Sequence, residues 1–197
     1  QIGGFDGLRF DGLFNYFERI EPVGIIVEPV DEYFNKLSIN TQKYNKIILV
    51  KKAIHNTIKL SQIFKVKNSC LQKYPDWIEG CASFNKNNLL KHGVSESCIE
   101  TTSVNCININ EIFQNFSFNK VIDYFQIDTE GYDGQIILDA NFKLFKPTII
   151  KFEYVNLDIN ELTKVKCKLK NSGYILTSEG NDYLAIRYFF FIKLLLM

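Results

Sequence analysis

"VIDYFQIDTEG" at residues 121–131, followed by "YDGQIILDANF" at 132–142, decides how the rest of this chain is read. The first stretch is a β-type run that enters a turn at Asp128, Glu130 and Gly131. The second reads as a short helix. A strand that turns into a helix is half of a β-α-β repeat, so the same alternation is expected on both sides. Upstream, "QIG" reads as the end of a strand, and "LRFDGLFNYFERI" (8–20) as a helix with Phe10, Leu13, Phe14 and Phe17 at helical spacing. "VGIIVEP" (23–29) is a buried strand stopped by Pro29. "DEYFNKLSINTQ" (31–42) is a helix with acids in its first turn, where the dipole favours them. "KIILVKKAI" (46–54) is a third strand, 55–66 a hairpin return, and 68–105 a long irregular insert rich in Asn and Ser.

Downstream, "KPTIIKFEYVNL" (146–157) is a fifth strand. Asp158 and Glu161 have capping-box spacing at the head of a helix that Gly173 ends. "YILTSE" and "DYLAIRY" close as a final pair. The alternation predicts an α/β fold: a mostly parallel central sheet with helices on both faces. No internal repeat or linker divides it, and 197 residues is a one-domain length.

Composition narrows the function classes. Hydrophobic residues are 46%, charged residues 23% and the formal net charge is +1, as in an ordinary globular chain. The basic residues are nearly all Lys, with Arg only at 9, 19 and 187. No dense basic patch interleaved with aromatics appears, which argues against nucleic acid as a partner. Five cysteines at irregular spacing, with no CxxC and no signal peptide, favour reduced thiols and a cytoplasmic location. Two histidines are too few for a zinc site. "YFFFIKLLLM" (188–197) is an apolar tail too short for a bilayer span of about 20 residues.

Ligands of open α/β sheets bind at the carboxyl ends of the strands. Those ends carry Gly3, Gly4, Asp6 and Gly7; Glu28 and Pro29; Ala53 and Ile54; Asp128, Glu130 and Gly131; Glu153 and Tyr154. Acids favour helix starts and glycines favour turns, which explains any one of these but not the whole set. The glycines fail both phosphate-binding patterns. GxGxxG would need Gly where Phe5 and Leu8, or Asp6 and Arg9, stand. A P-loop over Gly7–Gly12 would need Lys and Ser/Thr where Leu13 and Phe14 stand. Asp6 would also repel a pyrophosphate. What remains is a loop suited to a ligand of cationic character, beside a Glu28 carboxylate able to accept from the vicinal hydroxyls of a ribose. S-adenosylmethionine has a ribose, an ammonium and a sulfonium, and no phosphate.

The segments "QIGGFDG", "GIIVEPVDEYFNKLSIN", "VKKAI", "PDWIEGCASF", "IDYFQIDTEGYDGQIIL" and "KPTIIKFEYVNL", with the closing "GYIL" and "NDYLAIR", resemble in order and spacing the FkbM-type S-adenosylmethionine-dependent methyltransferases. The resemblance covers residues 1–187 and implies a Rossmann-like methyltransferase domain, with the 68–105 insert over the acceptor pocket. It implies a cofactor loop of Gly3, Gly4 and Gly7, a ribose contact at Glu28, and Ala53 and Ile54 flanking the adenine. Asp128 would lie beside the methyl-transfer centre with Glu130 next to it, and one of the two would take the acceptor's proton. Gln1 stands where the wider class often has an acid for the methionyl ammonium, which Asp6 would then contact. Phe5 stands where a small or polar residue is common. Trp77, Ser83 and His92 are acceptor-side candidates.

The implied reaction is O-methylation of a hydroxyl on a sugar, glycan or small metabolite. The alternatives are another nucleotide-using Rossmann enzyme and a non-catalytic binding domain; binding of labelled S-adenosylmethionine separates both from a methyltransferase. Only Gln1 and Ile2 remain of the strand before the glycine loop, against a usual length of about 5–6 residues. A fragment truncated at its N-terminus is therefore expected.

Overall fold

The computed structural model describes residues 1–10, 12–115 and 121–190. Residues 191–197 of the apolar tail lie outside them. The chain forms two compact units, 1–107 and 108–197. The first holds α1 (Phe14–Phe17), β1 (Gly24–Val27), α2 (Asp31–Thr41), β2 (Ile47–Val50), β3 (Ala53–Ile54), β4 (Leu60–Val66), α3 (Lys86–Lys91) and β5 (Ile99–Ile107). Short 3-10 turns lie at Asn68–Lys73, Asp76–Gly80 and Glu96–Cys98. The second holds α4 (Ile109–Asn115), β6 (Val121–Ile127), α5 (Asp133–Asp139), β7 (Lys146–Glu153), α6 (Ile159–Asn171), β8 (Tyr174–Glu179) and β9 (Asp182–Arg187).

The mostly parallel Rossmann-like sheet expected from the sequence does not form. The described strands make mixed, largely antiparallel sheets of order β1-β2, β3-β5-β4 and β6-β7-β9-β8. β1–β2, β3–β5 and β6–β7 are parallel. β4–β5, β7–β9 and β8–β9 are antiparallel, with β4–β5 running from Leu60↔Asn105 to Val66↔Ile99.

Two features support the antiparallel pairs. Residues 99–107 are not irregular: Ile99, Thr101, Thr102, Val104 and Ile107 are β-branched, and they suit a pleated strand. Lys65 lies opposite Glu100 in the register and bonds it at 2.7 Å, which helps hold the antiparallel pair. At the other end of the chain, Gly180 and Asn181 join β8 to β9 in a two-residue hairpin, with Gly180 at φ +59. Such a turn allows only antiparallel pairing.

The 46–54 run is also two strands. Lys52 N donates to Val50 O at 3.0 Å, a tight turn that sends Ile47–Val50 to β1 and Ala53–Ile54 to β5. The expected 8–20 helix shrinks to α1. Phe10 has φ +61, incompatible with a right-handed helix, and only the later part of the pattern buries apolar side chains. Phe14 and Phe17 pack there with Ile26 and Leu37.

The 66–99 segment has its own core of Val66, Ile78, Cys81, Leu89 and Val94, closed by a Cys70–Cys98 disulfide. The expectation of reduced thiols therefore fails for this pair, which the β4–β5 register brings together, and holds only for Cys81, Cys106 and Cys167. In the second unit, Ile136, Ile137, Ile150, Phe152, Val165 and Leu169 are fully buried. Asp158 caps α6 by accepting from the amides of Asn160 and Glu161. The Glu161 carboxylate accepts from Gln135 of α5 instead of closing the capping box.

Candidate active site

The glycine loop folds over the end of β1. Ile2 bridges Val27 in parallel, and the Gly3 and Gly4 amides donate to Val27 O. The first unit thus brings Gln1, Gly3, Gly4, Asp6, Gly7 and Glu28 together. Gln1 N donates to Ile25 O, and Gln1 Nε2 donates to Gly3 O. The glycines are needed by the protein's own packing. A Cβ on Gly4 would stand 2.4 Å from Ile26 Cγ2, and one on Gly7 (φ +73) 2.7 Å from both Leu37 and Phe14. The loop's backbone therefore approaches β1 and α2 so closely that a side chain at either position would clash.

Glu28 is 5% exposed and its carboxylate accepts from Phe5 N at 2.9 Å and Val30 N at 2.8 Å. Burial pushes its pKa up to about 8, against the pull of the Val30, Phe5 and Gly4 amides. Phe5, at φ +44, stacks edge-on against Tyr33 with centroids 4.7 Å apart. Asp6 is a buried turn cap. It accepts from the amides of Leu8 and Arg9 and pairs with the Arg9 guanidinium. Its charge is thus already answered by a cation of the same loop.

Sequence reasoning missed the group that secures this loop from outside. Glu79 pairs with Arg9 and with Lys36, each at 2.8 Å, and its carbonyl accepts from the Tyr33 hydroxyl at 2.6 Å. These contacts fix the Asp76–Gly80 turn against the loop and α2. Seventy positions separate Arg9 from Glu79, so no local spacing signals the pair. Ala53 and Ile54 are buried in β3, and Ala53 packs with Ile63, Val104 and Cys106 in a cluster distinct from the one under the glycine loop.

In the second unit, the turn after β6 carries Asp128, exposed, and Glu130, half-buried and at φ +53. Asn156 donates to Glu153 at 2.7 Å and to Glu130 at 3.4 Å, so it bridges the ends of the two strands. Beneath them lies Asp133, 0% exposed, which the sequence presents only as a helix-start acid. It accepts from Thr129 N (3.1 Å), Thr129 Oγ1 (2.7 Å) and Glu153 N (3.2 Å), tying the turn to β7. Burial raises Asp133 to about 6, the Thr129 hydroxyl opposing and the Glu153 charge adding. Burial and then the Asp128 charge raise Glu153 to about 7, the Asn156 bond opposing.

These shifts set the pH dependence of stability. Glu28, Asp133 and Glu153 hold a proton more tightly folded than unfolded, so the native state carries more protons between about pH 4 and their raised values. Stability then falls as pH rises through that window. For Glu32 and Glu79, burial pushes upward, but their bonds to Asn68, Lys65 and Lys36, or to Arg9 and Lys36, leave a net lowering. Their contribution is lost only in more acidic solution. The urea midpoint is expected to be higher at pH 5 than at pH 8; a profile that is flat or rises over that range contradicts the assignment.

The first unit thus sets a glycine loop, without a phosphate-binding spacing, over a buried carboxyl group at the end of β1. A family model described as the methyltransferase FkbM domain matches residues 1–176. The chain belongs to that family, and its class of activity is methyl transfer. Comparisons with curated proteins and with solved structures find no match. No helix among the described residues is long and apolar enough to cross a membrane.

Proposed function

We propose that this chain transfers a methyl group from S-adenosylmethionine to a hydroxyl oxygen of a sugar, glycan or small metabolite. The observation that carries the reading is the Glu28 carboxylate held at the end of β1 by the amides of Phe5 and Val30, directly under the glycine loop. Its donor set fits the proposed ligand. A carboxyl group with fixed oxygens can accept further bonds from vicinal hydroxyls, and the loop lacks the glycine spacing of a phosphate site. S-adenosylmethionine supplies an electrophilic methyl on a sulfonium. Gln1, Gly3, Gly4, Asp6 and Gly7 shape its binding loop, Glu28 takes the ribose, and Ala53 and Ile54 border the adenine. Transfer of that methyl would break its bond to sulfur, releasing a neutral thioether, as it joins the acceptor oxygen, whose proton would pass to Asp128 or Glu130. Positioning is the main contribution of the protein to such a displacement.

Calorimetry with S-adenosylmethionine tests this. Glu28→Ala is expected to weaken binding by about 1–3 kcal/mol, roughly 5- to 150-fold, through loss of the oxygens that hold the Phe5 and Val30 amides and would accept from the ribose. Glu28→Gln retains an acceptor oxygen and is expected to fall between. Unchanged affinity in an Ala variant with native circular dichroism removes Glu28 from the site.

A further inference from the structure

We infer that Trp77 and His92 form a platform on which a pyranose ring of the methyl acceptor stacks. The inference rests on the reading of the glycine loop as the methyl-donor site. Trp77 is 43% exposed although the two residues that follow it are anchored: Ile78 is 1% exposed in the 66–99 core, and Glu79 is tied to Arg9, Lys36 and Tyr33. The indole and the exposed His92 imidazole stand perpendicular, at 86°, with centroids 5.1 Å apart. An aromatic pair left in water is held there by a rigid frame. The Cys70–Cys98 disulfide closes the segment, Leu89 and Val94 are buried on either side of His92 in the sequence, and the Tyr74 hydroxyl accepts from Ser95 N at 3.0 Å.

The frame also sets the location. Glu79 and Gly80 follow Trp77 in the same turn, and a Cβ on Gly80 would lie 4.0 Å from the Phe5 ring of the glycine loop. The turn that carries Trp77 therefore lies beside the loop within the first unit. Its chemistry suits a sugar. The C–H face of a pyranose packs on the electron-rich face of an indole. The hydroxyls around the rim need hydrogen-bond partners across that plane, and the two ring nitrogens of His92 can supply them. A ring already fixed in place loses little freedom on binding.

Trp77 is the only tryptophan in the chain, so its emission reports this position alone. The intact protein is titrated with the methyl glycosides of glucose, galactose, mannose and fucose, with glycerol as the control polyol. A saturable change of emission with at least one glycoside, and none with glycerol, is expected. By saturation-transfer NMR, Trp77→Ala is expected to weaken that binding roughly tenfold or more and Trp77→Phe less, with His92→Ala also weakening it. Calorimetric affinity for S-adenosylmethionine should be the same in wild type and in Trp77→Ala. The platform is overturned if no glycoside gives a saturable response, or if Trp77→Ala binds the glycoside as well as wild type does. Glycoside binding by a protein with no affinity for S-adenosylmethionine instead overturns the donor-site reading, and with it the acceptor role given to the platform.

Discussion

Asp133→Ala is expected to lower the stability of the second unit by about 3–5 kcal/mol. The side chain is completely buried, and three donors end on it: two backbone amides and the Thr129 hydroxyl. Truncation strands the amides of Thr129 and Glu153, and a buried unsatisfied donor costs about 1–3 kcal/mol. Removing a buried carboxylate also relieves its desolvation, which keeps the loss below the sum of the three bonds. Since whole domains are stable by only about 5–15 kcal/mol, the unit becomes marginal. Asp133→Asn keeps one acceptor oxygen but turns an NH2 group toward a donor, and should lie between wild type and Ala. Urea unfolding followed by circular dichroism measures the series, and an Ala variant with the wild-type midpoint would show that the turn after β6 is held by other contacts.

Asp128→Asn is expected to lower turnover by about a hundredfold or more while leaving the affinity for S-adenosylmethionine close to wild type. The substitution is nearly isosteric and lies at an exposed position at the end of β6, so the fold tolerates it. On the proposed reading it removes a proton acceptor, and removal of the Asp128 charge should also let the pKa of Glu153 fall. The assay follows the label from S-adenosylmethionine into an acceptor found by screening cell extracts for the methyl mass shift. Glu130→Gln, measured alongside, shows which carboxylate accepts the proton. Full turnover in the Asn variant reduces Asp128 to a structural acid.

Elements defined by local chemistry were readable before the fold was known. β1 is bounded by Pro29, α2 opens on Asp31 and Glu32, and α6 lies between the Asp158 cap and Gly173 at φ +87. Strand direction was not readable, because pairing is decided across long separations. Nothing local to Ile99–Ile107 shows that it runs against β4 and beside β3. The same limit applies at the candidate site. Glu28 stands out as an acid after an apolar run, but the partners that define its surroundings come from elsewhere. Arg9 looks like a helix surface residue until Glu79 is placed beside it, and Asp133 looks like a first-turn acid until its lack of exposure is known. Phe5, out of character in a small-residue loop, is explained by the Tyr33 edge that receives it.

The Cys70–Cys98 bond lies just beyond the Val66↔Ile99 end of the β4–β5 ladder. In a reduced, unfolded chain, the first pairing of these strands must close a loop whose entropy cost grows with the logarithm of its length. Pairings of that kind are the slow steps of β-rich domains. Once the sulfurs are joined, the encounter has already happened, and the ladder can zip from Val66↔Ile99 toward Leu60↔Asn105 one neighbour at a time. Oxidation thus turns a long-range search into a hairpin-like event, and makes this ladder a natural early nucleus for the first unit.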